Sequence, residues 1–192
     1  MATGKKKGTA AAQALPLTAS KPELLVDDSD QTLRRLTLGF AVLGWLLTDV
    51  REGFAKLLGI SPFQYVALQA IARVQSDEPW TTRSLAAHFR VTTPYVSMEL
   101  RPLIAKGYLS AQASTLDRRF KILSVTAEGA ALLTQLAPIQ QQVNNTLYGQ
   151  FDQAGLVKQY ETIERMIRDA EAADAFLKQT LLSRQVNPAG KP

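Results

Sequence analysis

The segment from Thr82 to Val125 constrains the fold most. Thr82 is a capping residue type ahead of a short helical pattern, Arg83–Phe89, which Arg90-Val91-Thr92 then breaks as a tight turn. Thr93 can cap a second helix with Pro94 at its first position, and that pattern stops at Lys106 before Gly107. Two short helices joined by so brief a turn predict a helix-turn-helix. Directly behind them, Tyr108–Ser114 and Phe120–Val125 read as strands on either side of the polar, basic tip Thr115-Leu116-Asp117-Arg118-Arg119. That arrangement is a hairpin following the second helix, a wing.

The flanks read as helical. Leu33, Leu36, Phe40, Leu43, Leu47, Val50, Phe54 and Leu57 recur at three- and four-residue steps. They predict one helix from about Asp30 to Leu58, ~43 Å long at 1.5 Å per residue, with Gly59 as its stop. Ser61-Pro62-Phe63-Gln64 is a capping box that opens a helix to about Gln75, and Trp80-Thr81 is a short extended piece. Beyond the wing, Thr126 caps a helix to about Leu147, with a kink expected at Pro138. Asp152 caps a last helix to about Leu182 that carries Leu156, Tyr160, Ile163, Ile167, Ala170, Phe176 and Leu177. Apolar stripes of this length exceed what a small winged module can cover, so a second copy of the chain is the expected partner. The expected fold is mainly α with a small β-hairpin. It comprises a disordered tail (1–28), an N-terminal dimerisation helix (29–58), a winged helix-turn-helix domain (59–126), C-terminal dimerisation helices (127–186) and a second tail (187–192).

Composition narrows the chemistry. The chain has no Cys and one His, His88. Disulfides, thiolate zinc sites, iron–sulfur clusters, Cys nucleophiles and a His-rich metal site within one chain are thereby excluded. No Gly-x-Ser-x-Gly elbow or phosphate-cradling Gly-x-x-x-x-Gly-Lys loop occurs, so no enzyme, cofactor or metal is expected, and His88 reads as a partly buried helix residue. The longest apolar run, Leu38–Leu47, is far short of the roughly 18–20 residues of a membrane span, and Met1–Ser20 lacks an export signal's apolar stretch. A soluble cytoplasmic protein is the expectation. Of the net charge of +5, the segment Trp80–Thr126 accounts for all, with seven bases against two acids. Such a stretch fits a merely solvated face or one that meets phosphate.

Steps of 100° along Thr93–Lys106 place Val96, Leu100, Leu103 and Ile104 on one arc, to pack against Leu85, Phe89 and the hairpin. The opposite arc holds Pro94, Tyr95, Met98, Arg101, Pro102 and Ala105, with Ser97 and Glu99 at its edges. Tyr, Ser, Met and Arg suit a DNA major groove, where hydroxyls and guanidinium meet base edges and a thioether meets a thymine methyl. Thr92 and Thr93, at the positive end of the helix, can donate to a backbone phosphate. Arg118 and Arg119 at the wing tip fit a minor groove, with Asp117 orienting one guanidinium. The bland alternatives are an ordinary amphipathic helix and a solvated turn. A protein-binding adaptor using Tyr95 and Met98 is the other functional alternative.

The helix-turn-helix, then Leu103-x-x-x-Gly107-Tyr108-Leu109, then Asp117-Arg118-Arg119, then Val125-Thr126-x-x-Gly129, resembles the MarR family of winged-helix transcription regulators. The resemblance spans roughly Asp30–Leu182. It implies a homodimer paired through the terminal helices, a pseudo-palindromic operator, Arg119 as the wing arginine and Thr92 to Arg101 as the recognition segment. It also implies relief of a repressor by a small organic effector, often phenolic or an aromatic acid, bound between the dimer helices and the winged domain. Phe40, Leu43, Trp45, Leu47, Phe63, Tyr65 and Leu68 would line that junction, with Arg34, Arg35, Arg51 or Arg73 available for a carboxylate; plain core packing is the alternative for each aromatic. Two departures stand out. Ser114 replaces the acid that commonly precedes the wing aspartate, and Pro102 lies inside the recognition helix, where it removes the hydrogen bond to the Met98 carbonyl and should kink it.

Overall fold

A computed structural model describes residues 15–73, 79–113 and 121–186. The elements are α1 (Gln31–Leu58), α2 (Pro62–Arg73), α3 (Thr82–Phe89), α4 (Thr93–Ala105), β1 (Leu109–Ala113), β2 (Lys121–Val125), α5 (Ala127–Tyr148) and α6 (Gln153–Val186). The chain divides into two units, Met1–Thr134 and Gln135–Pro192. Leu133 of α5 is buried in the core of the first unit, so the first turns of α5 pack with the winged module.

That core explains the winged module. Ala67 and Leu68 of α2, Leu85 of α3, Val96, Leu100 and Leu103 of α4, Leu109 of β1 and Leu123 of β2 are all buried and form one cluster. The helical repeat turns α4's apolar arc inward as expected, except that Ile104 lies exposed at its margin. Strand alternation buries Leu109 and Leu123 on one face of the hairpin. Its register pairs Leu109 with Val125 and Ala113 with Lys121. Trp80 and Thr81 extend the sheet: the Leu123 amide donates to the Trp80 carbonyl at 2.7 Å, and Thr81 bridges Ile122.

Helix ends are set by local chemistry. The Ser61 amide donates to Gln64 Oε1 and the Gln64 amide to Ser61 Oγ, both at 3.1 Å, which realises the capping box of α2. The caps of α3 and α4 each fall one residue before the expected position. Thr81, not Thr82, accepts from the Ser84 amide, and Thr92, not Thr93, accepts from the Tyr95 amide. Each threonine at the cap has extended backbone, the conformation that aims its hydroxyl at the N3 amide. Gly59 and Gly107, both at positive φ, close α1 and α4. Arg90 holds the same left-handed conformation (φ 55°) at the end of α3. α4 continues through Pro102 to Ala105. Pro102 is exposed and so is Met98, so water can take the carbonyl the proline leaves unmatched.

Within the tail expected over 1–28, Pro16 and Thr18 are bonded to the start of α1. The Thr18 amide and hydroxyl donate to Asp30 Oδ2 at 2.7 and 2.6 Å. Arg34 donates to Asp30 Oδ1 at 2.9 Å and to the Pro16 carbonyl at 2.7 Å. Charge-assisted bonds of this kind order a segment that has little apolar surface to bury. Residues 1–14, with Lys5–Lys7, and the tail 187–192 lie outside the described residues.

In the second unit, Asp152 caps α6 by accepting from the Gly155 amide at 2.7 Å. That helix runs four residues past the expected Leu182. Among the described residues no helix is long and apolar enough to cross a membrane.

Candidate nucleic-acid interface

The outer arc of α4 is open. Thr92, Thr93, Met98 and Arg101 are exposed and Ser97 is half-buried, and Met98 leaves 55% of its surface to solvent although it is apolar. Thr92 and Thr93 stand at the helix start, where unpaired amides and the dipole favour an anion. Arg83, Arg90, Lys106 and Lys121 are exposed on the same module. Tyr95 differs from its neighbours. Only 37% of its surface is exposed, and its ring stands edge-on to Phe63 with centroids 5.0 Å apart. Burial, and then the adjacent Glu99 carboxylate, push its hydroxyl pKa up from the ordinary value.

The wing is anchored by a compact joint behind α4. Thr126 Oγ1 donates to the Gly107 carbonyl at 2.6 Å and accepts from the Gly129 amide at 3.1 Å. The Thr126 amide reaches the Tyr108 carbonyl at 3.2 Å. Gly129 must lack a side chain, since a Cβ there would run into the Tyr108 carbonyl oxygen and lie 2.9 Å from Val125 Cγ1. The Leu103-to-Gly129 pattern thus joins the end of α4, the foot of the hairpin and the start of α5. The expected wing-tip arginines, Arg118 and Arg119, together with Asp117 and Ser114, lie outside the described residues.

The residues expected around an effector are dispersed. Tyr65 is buried with its ring tilted on Phe54, at 5.5 Å, and Leu68 sits in the core. Leu43 and Trp45 are exposed, Trp45 at 70%, and Phe40 is half-buried. Arg34 is committed to Asp30 beside a groove formed with Thr18, Leu33, Thr37 and Leu38, while Arg73 is exposed at the end of α2. Phe63 lines a cavity of about 230 Å³ with Thr48, Arg51, Pro62, Val66, Phe89 and Val91. The Arg51 guanidinium donates to Thr48 Oγ1 at 2.7 Å on that wall. Sequence periodicity could assign Thr48, Arg51 and Val66 to helix faces but not to a shared void. His88, expected to be partly buried, is exposed, its ring edge-on to Trp80 and Phe89.

A winged helix-turn-helix with its outer helix face and adjoining bases exposed defines the class. The fold is that of the MarR transcriptional regulators. A MarR regulator from Methanosarcina mazei Go1 superposes with a TM-score of 0.58 at 17% identity, covering 73% of this chain and 99% of that one. BldR from Sulfolobus solfataricus gives 0.56 at 24% identity (71% and 96%), and S. aureus MepR in complex with DNA gives 0.56 at 20% (69% and 96%). No protein-family model and no curated protein matches the sequence.

Proposed function

We propose that the chain is a cytoplasmic DNA-binding transcriptional regulator, a homodimeric repressor that reads a pseudo-palindromic operator. The carrying observation is the open arc of α4, with Met98 and Arg101 exposed, Ser97 beside them and the threonine pair at its start, on a segment that carries seven bases against two acids. The DNA complex of the structurally similar MepR supports the same reading. A two-fold pair would present its recognition helices about 34–36 Å apart, one turn of duplex. Arg118 and Arg119 are assigned to the minor groove beside each recognition helix.

Gel-shift titration against the duplex upstream of the chain's own coding region tests this. Arg101→Ala and Arg119→Ala should each weaken binding. Each phosphate neutralised should add about −0.9 to the log–log salt slope. Unchanged binding in both variants refutes the site; salt-insensitive association with protein and none with any duplex favours the adaptor reading.

We assign the effector, a small aromatic acid, to the cavity beside Phe63. Its lining supports that choice: two phenyl rings, two valines and a proline, with one guanidinium and one hydroxyl to orient a carboxylate. A thermal-shift screen of aromatic acids should raise the melting point through Arg51, and Arg51→Ala should abolish the rise.

A further inference from the structure

One flank of α4 is tied at three levels to the joint between α1 and α2. Tyr95 packs its ring on Phe63 at 5.0 Å and an interplanar angle of 70°. One turn on, Glu99 Oε2 accepts from Ser61 Oγ at 2.6 Å. At the helix end, Lys106 Nζ donates to the Gly59 carbonyl at 3.3 Å. Positions 95, 99 and 106 share one side of a helix, so Gly59–Phe63 forms a rail along α4. The buried arc of Val96, Leu100 and Leu103 fixes how deep α4 sits and which face turns inward. The flank ties are directional, and they add a restraint on the helix's roll that non-directional packing lacks.

The chemistry of the two central residues fits this role better than contact with bases. A carboxylate at Glu99 repels phosphate, and its Oε2 already takes the single proton of Ser61, whose oxygen also accepts from the Gln64 amide at 3.1 Å. The Tyr95 ring is committed to Phe63, which is itself wedged edge-on against Phe89 at 5.5 Å. We propose that Ser61 and Phe63 set the angle at which α4 meets DNA, and that Tyr95 and Glu99 are positioning residues through which they do so. The proposal rests on the reading of α4 as the DNA-facing helix.

The readout is a specificity ratio: affinity for a duplex recovered from a randomised pool by the wild-type protein, divided by affinity for its scrambled version. Partial unfolding lowers both affinities together and leaves the ratio alone, whereas a rolled helix loses base contacts and lowers it. Glu99→Ala and Phe63→Leu should reduce the ratio about tenfold, roughly the worth of one base contact. Glu99→Gln, which still accepts from Ser61, and Tyr95→Phe, which keeps the ring, should leave it within about twofold. A wild-type ratio in both Glu99→Ala and Phe63→Leu overturns the positioning role, as does a loss in Tyr95→Phe, which would make the hydroxyl a base reader. A pool from which the wild type recovers no duplex overturns the DNA reading and this proposal with it.

Discussion

Single atoms decide two features of this chain. Gly129 is placed where a methyl group would meet the backbone oxygen of Tyr108, and backbone cannot step aside as a side chain can. Gly129→Ala should therefore cost about 1–3 kcal/mol, the usual penalty of overpacking, seen as a lower melting temperature. The second feature is Asp30. The Arg34 guanidinium, followed by the Thr18 hydroxyl and amide, holds its carboxyl well below the usual carboxylate range. A folded pKa below the unfolded one means stability that is fully present above the ordinary carboxylate value and is lost as pH falls below it. The protection factor of the Thr18 amide, which compares its exchange with that of an unprotected amide at the same pH, should fall below about pH 4. In Asp30→Ala, which has no acceptor for Thr18, that protection should already be low at neutral pH and show no such acid step.

At the scale of elements, helix ends carry more of the outcome than helix interiors. Thr92 holds the start of α4 by accepting from the Tyr95 amide, and Thr92→Ala should cost about 1 kcal/mol of stability in a denaturant titration. The same substitution removes a hydroxyl assigned to phosphate, so DNA affinity should fall further than the lost stability explains. The existence and order of the elements were legible in the sequence because apolar spacing and capping residue types report on local structure alone. The caps of α3 and α4 slipped by one residue because each start holds two adjacent threonines, and only the backbone conformation chooses between them. The residues around a cavity were poorly legible for a different reason. Periodicity says that Tyr65 and Phe63 are apolar residues on one helix, two positions apart. It cannot say that one fills the core against Phe54 while the other faces a void beside Arg51. The Glu99–Ser61 bond joins residues 38 apart, a relation that no local pattern encodes.

At the scale of the molecule, each unit leaves an apolar face uncovered. In the first, α1 exposes Leu36, Leu38, Val42, Leu43, Trp45 and Leu46. In the second, α6 exposes Leu156, Tyr160, Ile163 and Ile167, spaced three and four apart in the manner of a helix seam, and further along Leu177 and Leu181. Soluble monomers seldom leave so many large apolar side chains in water, and burying a Leu or Ile contributes about 1.5–3 kcal/mol. Pairing two chains through these faces is the reading they support, and it would give the winged module the second half-site of the proposed operator. Light scattering should then report twice the 21.0 kDa of one chain. The melting temperature should rise with protein concentration, because folding and association are linked by mass action. Ile167→Asp puts a charge in the middle of the α6 seam, far along the chain from α4. It should halve the scattering mass and remove the concentration dependence. It should also weaken operator binding, while leaving non-specific affinity per chain close to wild type. A variant that still scatters as a pair would place the contact elsewhere than on α6, and a wild type that scatters as a single chain would remove the two-fold reading of the operator.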